Sequence, residues 1–128
     1  MKNNDKKHFA GVWLDNNNAM VIAKNTDDDE YSIQDKIKTK ENHGGGSEHS
    51  INNARQSENL KFFKSLSGLL MKYDEILLFG PGKSQEQFHN HLGDDSQFNN
   101  KKISIETADQ LTDPQMIAKV RDHFKNRQ

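Results

Sequence analysis

One short apolar run restricts the fold of this chain more than any other feature of its sequence. Residues 75–79 are Glu-Ile-Leu-Leu-Phe, and the run ends directly at Gly80-Pro81-Gly82. A continuous apolar run of this length, bounded by turn residues, is typical of a strand that is buried on both faces. Such strands occur in parallel sheets whose two faces are covered by helices. The run therefore predicts an α/β protein.

Three strands are predicted before this run. Phe9–Leu14 and residues 19–23 are apolar, and the segment Asp15-Asn16-Asn17-Asn18 separates them. Because Asp and Asn favour tight turns, the two runs predict a β-hairpin. The more polar segment Tyr31–Lys38 has spaced apolar residues, which suits a third antiparallel strand with one face in water.

Helical patterns surround the later strands. Apolar residues at three- and four-residue steps predict a helix that begins near Asn52 or Asn53. The predicted inner face of this helix comprises Leu60, Phe63, Leu66, Leu70 and Tyr73. Residues 85–92 predict a short second helix, and residues 102–106 predict the last strand.

A final helix is predicted after Thr112, which is a suitable N-cap. Asp113 and Pro114 follow it, and both residue types favour the first helical turn. Its inner face comprises Met116, Ile117, Val120 and Phe124. The predicted order is therefore β-β-β-α-β-α-β-α, an antiparallel meander followed by parallel crossover units in one mixed sheet. We expect a single domain spanning residues 1–128.

Composition limits the possible partners and the compartment. The net charge of −1 argues against indiscriminate binding to nucleic acid, so any contact with RNA must be local. The chain has no cysteine, which excludes disulfides, thiolate metal sites and cysteine nucleophiles and fits the cytoplasm. No segment has the length of a membrane helix or a signal peptide, so we expect a soluble intracellular protein without a membrane partner.

Three possible ligand sites are disfavoured by the sequence. The segment 80–84, Gly-Pro-Gly-Lys-Ser, ends like a phosphate-binding loop, but Leu77 stands where that motif needs its first glycine. Asp15 follows the first strand, where a nuclease would place a metal ligand, but no acid ends the strand at Phe79, so a turn role is expected. His89 and His91 are two apart and would face different sides of a helix. We therefore expect no metal and no cofactor.

Three local motifs accompany the predicted order of elements. They are His43-Gly44-Gly45-Gly46-Ser47, then Asn53-Ala54-Arg55 leading to Phe62-Phe63, then the strand and turn from Ile76 to Lys83. Together with that order, they resemble the ribonuclease H-like fold of the middle domain of archaeal and eukaryotic class-1 peptide-chain release factors and of Pelota. The segment from Ile105 to Asp113 also resembles small bacterial members of the release-factor-like group.

One departure from that family bears on function. The resemblance implies that a glutamine after the glycine pair helps to position the water that cleaves peptidyl-tRNA, but here the glycines are followed by Ser47 and Glu48. We therefore expect a non-catalytic module, not a self-sufficient release factor, that associates with the ribosome, rRNA or tRNA. The expected contact residues are His43, Gly44, Gly45, Gly46, Ser47, His49, Arg55 and Lys61.

Other interpretations of the glycine-rich segment, and of the chain as a whole, remain open. The first is a plain flexible connection between a strand and a helix. The second is a hydrolase with a rebuilt site, in which Ser47 and either His43 or His49 would act. The third is a protein-interaction domain without RNA contact. The sequence does not determine the oligomeric state.

Overall fold

The protein, in a computed structural model, is described for residues 7–39 and 60–125. These residues form one five-stranded sheet in the order β3-β2-β1-β4-β5, with three α-helices and one 3-10 helix. The strands are β1 Phe9–Leu14, β2 Asn18–Lys24, β3 Tyr31–Lys38, β4 Glu75–Gly80 and β5 Lys102–Thr107. The helices are α1 at residues 60–70, α2 Ser84–Gly93, the 3-10 helix Ser96–Phe98 and α3 Asp113–Phe124.

The pairing of the strands confirms the predicted mixed sheet. β1 pairs antiparallel with β2, and β2 pairs antiparallel with β3. β1 pairs parallel with β4, and β4 pairs parallel with β5. The element order also agrees with the predicted one, so the α/β class is confirmed; the ribonuclease H-like name for this arrangement stays a prediction.

Alternating residues of the central strands form two separate cores. Ile76 and Leu78 of β4 pack under α1 and α2, while Leu77 and Phe79 pack under α3. All four side chains are fully buried. The run that predicted a doubly covered strand is therefore buried on both faces, because a helix layer lies on each side of the sheet. We call these sides the α1/α2 face and the α3 face.

A bulge allows the polar strand β3 to contribute to both cores. Its register with β2 shifts between Val21 and Ile22. Ile33 and Ile37 are four residues apart and would share one face of a regular strand. Because an extra residue lies between them, Ile33 packs on the α3 face and Ile37 packs on the α1/α2 face.

The predicted inner face of α1 was partly wrong. Phe62, Leu66 and Leu70 form the buried face, at four-residue steps. The predicted Phe63 is partly buried and packs against the same core, whereas Leu60 is 49% exposed. Tyr73 is buried but follows the helix, in the turn that leads to β4. The four-residue step fits because it follows the helix repeat of 3.6 residues closely. The predicted start of this helix at Asn52 or Asn53 lies outside the described residues.

An N-cap starts the last helix, and a glycine in β1 lets this helix pack closely on the sheet. The Thr112 side chain accepts a hydrogen bond from the Gln115 N–H, and the Gln115 side chain accepts one from the Thr112 N–H, which confirms the predicted N-cap. Further along, Val120 lies directly over Gly11 of β1, where a Cβ would collide with both of its methyl groups. The missing side chain at Gly11 thus permits the close approach of helix and strand.

Candidate functional site

The glycine-rich segment leaves the sheet beside the turn that joins β1 and β2. The Thr39 N–H, directly after β3, donates a hydrogen bond to the Asn17 carbonyl at 2.9 Å. The next residues, 40–59, include the glycines and lie outside the described part of the chain. The position at which this segment begins is therefore fixed by the β1–β2 turn.

The described part of α1 begins near the same end of the strands. α1 ends at Leu70, and the Asp74 N–H then donates a hydrogen bond to the His8 carbonyl. His8 directly precedes β1, and Asp74 directly precedes β4. The eleven described residues of α1 span about 16 Å, nearly the length of the six-residue β4. The end of α1 thus lies near the amino ends of β1 and β4, and its first described turn lies toward the carboxyl ends of the same strands. We call this edge the loop edge, comprising residues 15–17, Thr39, residues 81–83 and the first described turn of α1.

Only one of the predicted contact residues lies in the described part of the chain. Lys61 is exposed in the first described turn of α1. The others lie within residues 40–59, so the structure does not test them: His43, Gly44, Gly45, Gly46, Ser47, His49 and Arg55. The predicted site thus stays a prediction, and the structure describes only the residues that flank it in the sequence.

Exposed lysines from three different elements lie at or beside the loop edge. Lys38 ends β3, Lys61 belongs to α1, and Lys83 lies in the turn between β4 and α2. None of the three forms an ion pair with another residue in ranges 7–39 and 60–125. Their ammonium groups can therefore contact a negatively charged partner without first breaking an ion pair among these residues.

Side-chain hydrogen bonds hold the backbone of the loop edge in place. Asp15 Oδ1 accepts bonds from the N–H groups of Asn17 and Asn18 at 2.8 and 2.7 Å, which is the turn role predicted for it. The next residue, Asn16, accepts a bond from Ser84 Oγ at 2.7 Å. This bond joins the β1–β2 turn to the start of α2. The β1–β2 turn and the β4–α2 turn are therefore held together.

Sequence reasoning missed Gln85, the second residue of α2, whose side-chain amide is fully buried. Its Nε2 donates to the carbonyls of Gly80, at 3.1 Å, and Glu106, at 3.4 Å, and so joins the ends of β4 and β5. Its Oε1 has no hydrogen-bond partner among the described residues. A signal was present, because Gln85 precedes the buried Phe88 and Leu92 at helical spacing.

The described residues contain no group of three side chains suited to a metal ion. His91 stacks on Phe88 in its own helix, with ring centroids 6.0 Å apart, and contacts Phe63 of α1 at 5.4 Å. It therefore belongs to the contact between α1 and α2. His89, two residues earlier, is partly exposed.

Two tyrosines and one aspartate near the β2–β3 turn and the start of β4 have shifted pKa values. Burial raises the pKa of Tyr31 and of Tyr73. In the β2–β3 turn, hydrogen bonds from the Glu30 N–H and the Asn25 side chain lower the pKa of the exposed Asp28. These groups lie near the opposite ends of the strands and do not contribute to the loop edge.

The described helices are all too short or too polar to cross a membrane. No family model and no curated protein matches the sequence.

Several solved structures share the fold. Pelota from Archaeoglobus fulgidus superposes with a TM-score of 0.63 over 94% of this chain, at 8% sequence identity. The archaeal translation termination factor aRF1 gives 0.60 over 95% at 12% identity, and archaeal Pelota in a ribosome-bound model with ABCE1 gives 0.59 over 89% at 22%. This chain covers 32%, 35% and 31% of those chains, respectively. The predicted resemblance is thus confirmed for the fold.

Proposed function

We propose that this chain is a non-catalytic, release-factor-like module that acts in translation or ribosome rescue. It associates with the ribosome, through rRNA or tRNA, in the cytoplasm. The observation that supports this role best is the fold likeness to Pelota and aRF1, which extends over nearly the whole of this chain. One of those neighbours is a ribosome-bound Pelota, which makes the ribosome the first partner to test.

The surface proposed for this contact is the loop edge with its glycine-rich segment. Backbone N–H groups and lysines are common ligands of nucleic-acid phosphates. Residues 43–49 would supply the N–H groups, with His43, His49 and Ser47 as further donors, and Arg55 would add a guanidinium. The described lysines of the loop edge support the proposal, because they place positive charge around both ends of the segment although the whole chain has a net charge of −1.

The proposed module lacks release activity because it lacks the group that would position water. Ser47 and Glu48 follow the glycines, where the release-factor motif has glutamine. Losing the group that positions a reactant can reduce a rate by orders of magnitude. We expect the purified protein to release no peptide from stalled ribosomes above the buffer rate. Release well above that rate would overturn the non-catalytic assignment and favour a rebuilt hydrolase around Ser47 and His43 or His49.

Co-sedimentation with ribosomes over a series of salt concentrations tests the proposed contact. Binding should weaken steeply as salt rises, since phosphate contacts release counterions. Arg55→Ala combined with Lys61→Ala should weaken binding and reduce the slope of log K against log salt by up to about two units. The matched control is Lys72→Ala combined with Arg121→Ala, which removes the same charges near the opposite ends of the strands, where both side chains are exposed.

Each outcome of this experiment has a defined meaning. Equal losses for the two double variants would contradict the loop edge as the contact surface, and no binding by the parent protein would contradict the ribosome as partner. If the Arg55 and Lys61 variant binds like the parent, Gly44→Ala with Gly45→Ala provides the second test. Lost binding in that variant would locate the contact in the loop backbone, whereas unchanged binding would show that the segment is a plain connection.

A further inference from the structure

The two outer strands of the sheet differ in how well they are protected against further pairing. β3 has a bulge in its register with β2 and exposes Lys36 and Lys38. Bulges and exposed lysines are the usual devices that prevent an edge strand from pairing with another chain. β5 pairs with β4 without a register shift over all six residues, contains no proline and exposes a single lysine, Lys102. Its exposed Ile105 adds an apolar side chain to this regular edge.

The hydrogen bonds at both ends of β5 show which backbone groups point outward. Lys102 N–H donates to the Asp74 carbonyl at 3.1 Å, and Ala108 N–H donates to the Gly80 carbonyl at 2.8 Å. Even-numbered residues of β5 therefore point their backbone groups toward β4. Because this direction alternates along a strand, the N–H and C=O groups of Ile103, Ile105 and Thr107 point away from the sheet. Among the described strands, none pairs with that side of β5.

We propose that β5 is a self-association edge, on which β5 of a second copy of this chain pairs antiparallel. The sequence of the strand, Lys102-Ile103-Ser104-Ile105-Glu106, is complementary to itself when read in the opposite direction. With Ser104 opposite Ser104 of the second copy, each Ile103 lies opposite an Ile105 and each Lys102 lies opposite a Glu106. A two-fold axis relates the copies, as in most homodimers.

In this register, complementary side chains lie opposite each other and the outward backbone groups form hydrogen bonds. Ile103 packs on the α1/α2 face, and Ile105 lies on the same face by alternation along the strand. The two form cross-strand apolar pairs that bury part of Ile105, which is 37% exposed in one copy. Lys102 and Glu106 lie on the other face and form pairs of opposite charge. The outward backbone groups of Ile103 and Ile105 match those of the second copy, which gives four hydrogen bonds. Ser104 falls at a pair without hydrogen bonds, where opposite Cα atoms are about 4.5 Å apart.

The choice of a second copy as occupant rests on this charge pattern. Only odd-numbered residues of β5 turn their backbone groups outward, so the competing registers differ by two residues, and each of them moves the lysines away from the glutamates. Glu106 also bonds Lys119 of its own chain at 2.7 Å, which holds its carboxylate on the α3 face where the lysine of the second copy would arrive. The interface is small, so we expect a dimer that dissociates on dilution.

Charge reversal with a mixing step tests the pairing. By sedimentation equilibrium from about 10 µM to about 1 mM, the protein should approach twice its 14.7 kDa mass as concentration rises. Lys102→Glu alone places like charges opposite each other, as does Glu106→Lys alone, and each variant should weaken dimerisation at least about tenfold. An equimolar mixture of the two variants restores opposite charges and should dimerise as the parent does. Lys102→Glu leaves the Glu106–Lys119 pair intact, so it tests the idea even if Glu106→Lys folds poorly.

A cysteine crosslink tests the register itself. The chain has no cysteine, so Ser104→Cys introduces a single thiol that should lie opposite its own copy, at a spacing suited to a disulfide. Under mild oxidation this variant should form a covalent dimer, while the control Lys102→Cys should form far less, because position 102 lies opposite position 106. Equal crosslinking of the two variants, or a parent that stays monomeric at about 1 mM, would overturn the proposal.

Discussion

Within α1, Leu66 is fully buried against the sheet, while Lys61, little more than one turn earlier, is exposed at the loop edge. The same contrast separates the interior of the sheet from the loop edge as a whole. In the interior, strands and helices are in contact on every side, so a change of one methyl group alters packing. At or beside the loop edge, three lysines from separate elements, Lys38, Lys61 and Lys83, are exposed and form no ion pair with another described residue. Substitutions should therefore affect folding in the first region and binding in the second.

Leu66→Ala should have the largest effect on stability. Its side chain is 0% exposed between α1 and the sheet, and a buried leucine shortened to alanine leaves a cavity. We expect a loss of about 2–5 kcal/mol in the free energy of unfolding, measured by urea denaturation. Leu60→Ala is the matched control, because Leu60 belongs to the same helix and is 49% exposed. Similar losses for the two variants would contradict the burial pattern of α1.

Gly80→Ala should have the next largest effect. A Cβ at this position would collide with the Leu14 carbonyl oxygen and lie 3.0 Å from Gln85 Oε1, so the ends of β1 and β4 would have to separate. Overpacking of this kind costs about 1–3 kcal/mol. Gly82→Ala, two residues later, meets no atom within 4 Å and should change stability far less. The contrast between the two glycines defines where the packed interior ends and the loop edge begins.

Thr112→Ala should have a smaller effect, because it removes one helix cap without touching the core. The variant loses the hydrogen bond from the Gln115 N–H to Thr112 Oγ1, which should cost about 1 kcal/mol. Thr112→Ser keeps a hydroxyl at the same position and should restore most of this stability. A serine variant as unstable as the alanine variant would show that the cap bond does not stabilise α3.

Arg55→Ala with Lys61→Ala should have the smallest effect on unfolding. Lys61 is exposed, and changes to exposed charges usually alter stability by less than about 0.5 kcal/mol. If this pair of substitutions unfolded the protein, its loss of ribosome binding would carry no information about the surface, so urea denaturation must accompany the binding assay.

The sequence predicted the central strands well because burial on two faces leaves an uninterrupted apolar run. Residues 75–79 show such a run, and β4 was found there, with Trp13 of the neighbouring β1 buried as well. The N-cap at Thr112 was also predictable from the sequence, because capping depends on residues within one helical turn.

Features that depend on contacts between distant segments were not predictable. Gly11 is unremarkable in the sequence, and only the position of Val120 explains it. Gln85 was missed because its partners, the carbonyls of Gly80 and Glu106, are brought together by the sheet. The bulge in β3 is likewise a property of pairing with β2. The glycine-rich segment has no apolar pattern, so its position could be inferred only from its ends, at Thr39 and α1.

Site-specific crosslinking to ribosomes tests the proposed function most directly. Because the natural chain has no cysteine, Ser47→Cys and Asp27→Cys each provide one attachment point for a photoactivated crosslinker. Position 47 belongs to the glycine-rich segment, whereas the exposed Asp27 lies in the β2–β3 turn at the opposite ends of the strands. We expect crosslinks to rRNA or tRNA from position 47 well above those from position 27. Equal crosslinking from the two positions, or crosslinking from position 27 alone, would contradict the loop edge as the surface that contacts the ribosome.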